Sequence, residues 1–131
     1  MIKSLDHLVL TTRDAQKCIA FYTRALGMKL ETFGEGRKAL RFGAQKINIH
    51  DKSTSTDIYA AHPTPGSLDL CFLADRPLDE VIARLRDAGI AIELGPVKRT
   101  GARYALLSVY VRDPDDNLIE ISEPAQGLSG S

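Results

Sequence analysis

A histidine and two acids open the reading: His7, Asp69 and Glu120 each interrupt an apolar, strand-like run. Glu120 stands in Leu118-Ile119-Glu120-Ile121-Ser122, where alternation sends both isoleucines to one face and the carboxylate to the other. A carboxylate in such a strand needs a partner, because burying it unpaired costs several kcal/mol. Two partners are open to it: an arginine, with Arg41, Arg103 and Arg112 available, or a metal ion. One imidazole with two carboxylates suits a divalent first-row ion such as Mn, Fe, Ni or Zn, with positions left for a substrate. For a fourth ligand, His50 is the better donor chemically, and Asn48 is the better match to Glu120 by position. Lys46-Ile47-Asn48-Ile49-His50 puts both on the face away from the isoleucines. Tyr110 and Ser108 share a parity opposite to Leu107, Val109 and Val111, so they face either the same cleft or solvent. Lys98, Arg99 and Arg103 flank Gly101, either as a loop that closes over an anionic substrate or as ordinary surface charge.

What must bring these residues together is a repeat. A shift of 62 residues lays Leu5–Leu30 over Ser67–Ile92 without a gap and makes His7 and Asp69 equivalent. Each half reads strand, turn, amphipathic helix, glycine, then three strand-like runs. In the first half Thr12 or Asp14 opens the helix, Cys18, Ile19, Tyr22, Ala25 and Leu26 form its apolar stripe, and Gly27 ends it. In the second, Asp75 is the expected cap, Leu78, Val81, Ile82, Leu85 and Ala88 form the stripe, and Gly89 is the stop. The following strands are expected over Met28–Phe33, Lys38–Phe42 and Lys46–His50, then over Ile90–Leu94, Ala105–Val111 and Leu118–Ser122. The expected fold is α+β: two tandem βαβββ modules whose mixed sheets form an open, half-barrel cleft. They make one domain over residues 1–127, with module one at 1–50, a connector at 51–66, module two at 67–123, and a flexible tail at 128–131.

Composition narrows the function. Seventeen basic residues balance seventeen acidic ones, so the basic excess of a nucleic-acid or membrane-surface binder is missing. No apolar run approaches the roughly 20 residues of a membrane span. Asp6 and His7 break the N-terminal apolar stretch before a signal-peptide core can form, so a cytoplasmic location is expected. Cys18 and Cys71, without a Cys-x-x-Cys pair, read as two buried reduced thiols.

The chain resembles the vicinal oxygen chelate superfamily, which holds glyoxalase I, fosfomycin-resistance transferases, extradiol dioxygenases and metal-free bleomycin-binding proteins. The likeness lies in Leu5-Asp6-His7-Leu8-Val9-Leu10, in Phe21-Tyr22 followed by Leu26-Gly27-Met28, and above all in Asp113-Pro114-Asp115-Asp116-Asn117-Leu118-Ile119-Glu120. Gln45-Lys46-Ile47-Asn48-Ile49-His50, Ala61-His62-Pro63 and Gly95-Pro96-Val97 resemble the glyoxalase domain-containing protein 5 group, some bacterial members of which are described as virulence proteins. The resemblance implies paired βαβββ modules, a homodimer and one divalent metal in the cleft, with His7 and Glu120 on the first and last ligand positions. Asp69 falls where many members carry a second histidine, which turns the site from oxygen activation towards Lewis-acid work.

The expected function is a metal-dependent, glyoxalase-like lyase or isomerase acting on a small substrate chelated through adjacent oxygens. His7, Asp69, Glu120 and His50 hold the metal, Glu120 and Tyr110 serve catalysis, and Asn48, Ser108 and Arg103 bind substrate. Two other readings stand beside it: a metal-free protein that sequesters a drug or metabolite, and a fosfomycin-type thiol transferase or dioxygenase.

Overall fold

The computed structural model describes residues 1–125; the expected tail at 128–131 lies outside them. Contacts divide the chain into two compact units, Met1–Leu68 with Pro114–Asp116, and Asp69–Asp113 with the segment from Asn117 onward.

The first unit runs β1 (His7–Thr11), helix α1 (Ala15–Ala20), β2 (Lys29–Phe33), β3 (Arg37–Phe42) and β4 (Gln45–His50). Its sheet has the order β1-β4-β3-β2, with β1 parallel to β4 and the remaining pairs antiparallel. Asp14 caps α1, its carboxylate accepting from the Lys17 amide at 3.2 Å. The helix stays regular only to Ala20 and continues as a wider π-type turn over Phe21–Ala25. Thr23 gives a physical reason: its hydroxyl donates to the Ile19 carbonyl at 2.7 Å and competes for the acceptors of the regular ladder. The wider turn buries Phe21 as well as the expected Cys18, Tyr22 and Ala25, with the Phe21 and Tyr22 rings edge-to-face at 4.9 Å. Leu10, Leu40, Ile47 and Ile49 are buried from the sheet, so alternation sends His7, Val9, Asn48 and His50 to the other face.

The second unit repeats this order: β5 (Asp69–Leu73), α2 (Leu78–Asp87), β6 (Leu94–Thr100), β7 (Ala105–Arg112) and β8 (Leu118–Pro124), in a sheet ordered β5-β8-β7-β6. The βαβββ modules are therefore both present. The repeat extends to single hydrogen bonds: Thr12 N donates to His50 O, and Ala74 N, 62 residues on, donates to Ser122 O, both at 2.8 Å. Gly27 and Gly89 both take φ near +74°, the left-handed conformation that lets the chain leave a helix.

Three local expectations are corrected. Asp75 does not cap α2: the cap position is Pro77, and the Asp75 carboxylate instead accepts from Arg76 Nε at 3.0 Å. The sixth strand is not Ile90–Leu94 but Leu94–Thr100, running through Gly95 and Pro96. As the last strand of its sheet it has one ladder to satisfy, so a proline without an N–H is tolerated. Finally, Cys18 is buried but Cys71 is exposed, because its parity on β5 sends it to the face that α2 does not cover. Among the described residues no helix is long and apolar enough to cross a membrane.

Candidate functional site

On the first sheet, parallel pairing aligns His7 with Lys46, Val9 with Asn48 and Thr11 with His50, all on the face opposite the core. The His7 Nδ1 lies 2.8 Å from Asp6 Oδ1, and this bond holds the Asp6 carboxyl below its ordinary range. An imidazole that donates through Nδ1 keeps Nε2 as its acceptor, the form in which histidine ligates metals. Sequence reasoning used Asp6 as a break in apolarity and as part of a family motif but gave it no role at the site; its place beside a ligand candidate was the available signal. His50 is half-buried, and burial followed by the nearby Arg37 charge pushes its imidazole down, against a weaker opposing effect of Asp51. Asn48 is half-buried and its Oδ1, fully enclosed, has no hydrogen-bond partner. Asn48 and His50 both line a cavity of about 720 Å³ within this unit.

On the second sheet Asp69 stands beside Leu118, Cys71 beside Glu120 and Leu73 beside Ser122. Val9 sits opposite Asn48 as Cys71, 62 residues on, sits opposite Glu120, so Asn48 is the counterpart of Glu120 by register and His50 that of Ser122. From β7, Tyr110 lies across from Glu120 and Ser108 across from Ser122. These side chains form a polar network. Ser122 Oγ donates to Glu120 Oε2 at 3.3 Å, stands 2.6 Å from Ser108 Oγ and 3.4 Å from Cys71 Sγ. Ser108 is fully buried, which removes simple solvent exposure as its role. Burial pushes the Tyr110 hydroxyl up; Arg99 works against this and the Glu120 carboxylate adds to it. Burial of the sulfur likewise pushes the Cys71 thiol up, although the residue as a whole is exposed.

None of the three arginines available as partners forms an ion pair with Glu120. Arg41 pairs with Glu31 across β2 and β3, Arg112 pairs with Glu93 at 3.1 Å, and Arg103, in the turn after β6, lies 5.2 Å from the Tyr104 ring. Glu120 is left with neutral donors, and Asp69 makes no ion pair among the described residues. Lys98 and Arg99 lie on β6 and not in a loop, and Arg99 Nε donates to the Tyr110 hydroxyl at 2.9 Å. The Arg99–Tyr110 link was missed because the two residues are not opposite each other in the β6–β7 ladder: Arg99 stands across from Leu106 and Tyr110 across from Leu94.

Each unit carries side chains of the kinds that divalent cations take as ligands: in the first, an oriented imidazole and a second imidazole whose pKa burial lowers; in the second, two carboxylates that make no ion pair among the described residues. The candidates divide two and two, His7 and His50 in the first unit, Asp69 and Glu120 in the second. Among the described residues no three His, Cys, Asp or Glu side chains gather in a metal-holding group.

Residues 4–121 match the Glyoxalase/Bleomycin resistance protein/Dioxygenase superfamily. The chain belongs to that superfamily. Virulence protein STM3117 of Salmonella typhimurium is 50% identical over 123 residues, 94% of this chain and 85% of that protein. Its crystal structure superposes with a TM-score of 0.92, covering 95% of this chain and 99% of that one. Glyoxalase domain-containing protein RDO1 of Mycosarcoma maydis is 54% identical over 121 residues, 92% of this chain and 68% of that protein. Lactoylglutathione lyase from Agrobacterium tumefaciens shares the fold with a TM-score of 0.71 at 25% identity, covering 94% of this chain and 95% of that one. The glyoxalase superfamily includes enzymes, and repeated βαβββ modules are its architecture here.

Proposed function

We propose that the protein is a divalent-metal-dependent, glyoxalase-like enzyme of the lyase or isomerase type, acting on a small substrate through adjacent oxygens. The observation that carries this is Glu120: a half-buried carboxylate, in register with Tyr110 and Cys71, while Arg41 and Arg112 are paired elsewhere and Arg103 lies over its own neighbour's ring. In this reading His7, His50, Asp69 and Glu120 hold one Mn, Fe, Ni or Zn ion. When bound, such an ion supplies Lewis-acid stabilisation of negative charge developing on a substrate oxygen.

The chain's own groups supply the rest. Tyr110 Oη accepts from Arg99 Nε, and its raised pKa keeps its own proton available for donation at neutral pH. Ser108 and Ser122 brace Glu120 from the side. Asn48 and Arg103 hold substrate oxygens, and the proton moves on whichever of Glu120, Asp69 and His50 is not bound to the ion. A second reading, a metal-free protein that sequesters a small molecule, is favoured by the cavity of the first unit.

Elemental analysis of freshly purified protein and calorimetric titration with Mn and Zn separate the two. The enzyme reading expects a divalent metal, with a loss of affinity for His7→Ala and for Glu120→Gln beyond the roughly 10- to 100-fold that removal of an outer-shell partner costs. No divalent metal and no rebinding on titration would sink it.

A further inference from the structure

One row of the first sheet is basic from edge to edge. The register sets Lys29 of β2 opposite Arg41 of β3, Arg41 opposite Lys46 of β4, and Lys46 opposite His7 of β1. Residues directly opposite share a face, and this is the face away from the buried Leu40 and Ile47. Like charges directly opposite one another destabilise a sheet, so Lys29, Arg41 and Lys46 side by side carry a cost. Two acids offset part of it. Glu31 accepts from two nitrogens of Arg41, and Asp6 is bonded to His7. The Glu31 carboxyl lies below its ordinary range, first through the Arg41 bond and further through the charges of Arg41 and Lys46. Lys29 and Lys46 make no ion pair among the described residues.

Lys46 shows what the crowding does. Its side chain leaves the row and crosses the sheet diagonally, and its ammonium lies 3.9 Å from the centre of the Phe33 ring. Phe33 stands opposite Arg37, so Ala39 is midway along that diagonal. Ala39 is fully buried, as it must be when the lysine stem and the ring close over it. A ring face attracts a cation without cancelling its charge. Half-buried Lys46 therefore keeps a full positive charge on this face with no anion beside it.

We propose that this row binds a small dicarboxylate, one carboxylate taken by Lys46 and the other by Lys29, with Arg41 between them already neutralised by Glu31. The two lysines are rooted two strands apart, about 10 Å, which suits two separated charges better than one. Lys46 leaves the Phe33 ring to meet its carboxylate. Because His7 ends the row, the enzymatic reading then gives a substrate whose acid groups extend from its chelated oxygens across the first sheet. Only that last step rests on the proposed function; the site itself is tested without metal.

Succinate is titrated into the protein in EDTA, at an ionic strength held constant with sodium chloride, and followed by NMR. In the free protein the Phe33 ring current shifts the Lys46 Hε resonances upfield. Succinate should return them towards ordinary values, saturably, and move the amides of Lys29, Arg41 and Lys46. Acetate, with one charge, should bind about tenfold more weakly. Lys46→Met and Lys29→Met should each lose about tenfold for succinate. Lys17→Met, which removes an exposed charge from α1, should lose less than twofold. Lys29 is exposed, so its variant keeps the fold and the test stands on it even where Lys46→Met does not. Shifts that never saturate, equal affinity for acetate, or full affinity in Lys29→Met would overturn the proposal. A protein that binds succinate but no metal keeps this site and loses the enzymatic reading; one that binds metal but not succinate does the reverse.

Discussion

Asp115 shows how much of the acid-rich turn before β8 is spent on structure. It is 3% exposed; its Oδ2 accepts from the Thr12 hydroxyl and its Oδ1 from the Arg13 amide at 2.9 Å, with the Arg13 guanidinium 3.6 Å away. Its neighbour Asp113, equally enclosed, accepts from the Asn117 amide at 2.9 Å and from Asn117 Nδ2 at 2.8 Å. Both carboxylates end the turn with their acceptors filled by donors of known identity, and neither is on a sheet face that carries ligand candidates. Hydrogen bonds to an ionised group contribute about 1.5–3 kcal/mol. Asp115→Ala should therefore lower unfolding free energy by about 2–3 kcal/mol in urea titration, with Asp115→Asn intermediate, because an amide oxygen still accepts once. Metal affinity should stay within about twofold of the parent. A tenfold loss of metal affinity in a folded Asp115→Ala protein would place this acid in the site instead.

At the scale of elements, β6 is the informative strand. A Cβ added to Gly95 would collide with the Ser108 carbonyl oxygen and lie 3.1 Å from Val109 Cα, and the glycine itself has φ +110°. Strand β6 can lie against β7 here only because that position carries no side chain. Gly95→Ala should cost about 1–3 kcal/mol. Hydrogen exchange should show faster loss of protection in β6 than in β8, which is held on both sides by β5 and β7. Uniform loss across the sheet would mean that β6 is not the strand displaced. The same strand explains where sequence reasoning stopped. Buried strands announce themselves by alternation, as Lys46–His50 and Leu118–Ser122 do, and from them the opposite faces of Asn48, His50 and Glu120 were readable. Only Val97 of β6 is even half-buried, so Leu94–Thr100 has no apolar period to find. Helix α1 was legible from its cap and stripe, but its change to a wider turn depends on the Thr23 hydroxyl reaching Ile19, which no periodicity records. The Arg99–Tyr110 bond was hidden for the same reason as the strand that carries it.

At the scale of the whole molecule, the proposed ligands divide between the two units. The first unit offers nitrogen donors, His7 and His50; the second offers carboxylates, Asp69 and Glu120. The sheet faces that carry them also expose large apolar side chains, Val9 at 42% and Leu73 at 59%, so each face gains by being covered. In a symmetric homodimer, a second copy of the chain can provide that cover while bringing a first unit to a second unit. The expectation is then specific. When His7→Ala and Glu120→Ala chains are mixed and refolded together, half of the dimers are heterodimers, and each of those has one site with both defects and one with none. Tight metal sites should return to about one quarter of the wild-type number, although neither variant alone has any. Counting sites by metal titration makes the result independent of the substrate. If the ligands of each site come from a single chain, every chain in the mixture carries a defect and the count stays at zero. A quarter or nothing therefore assigns the site to two chains or to one.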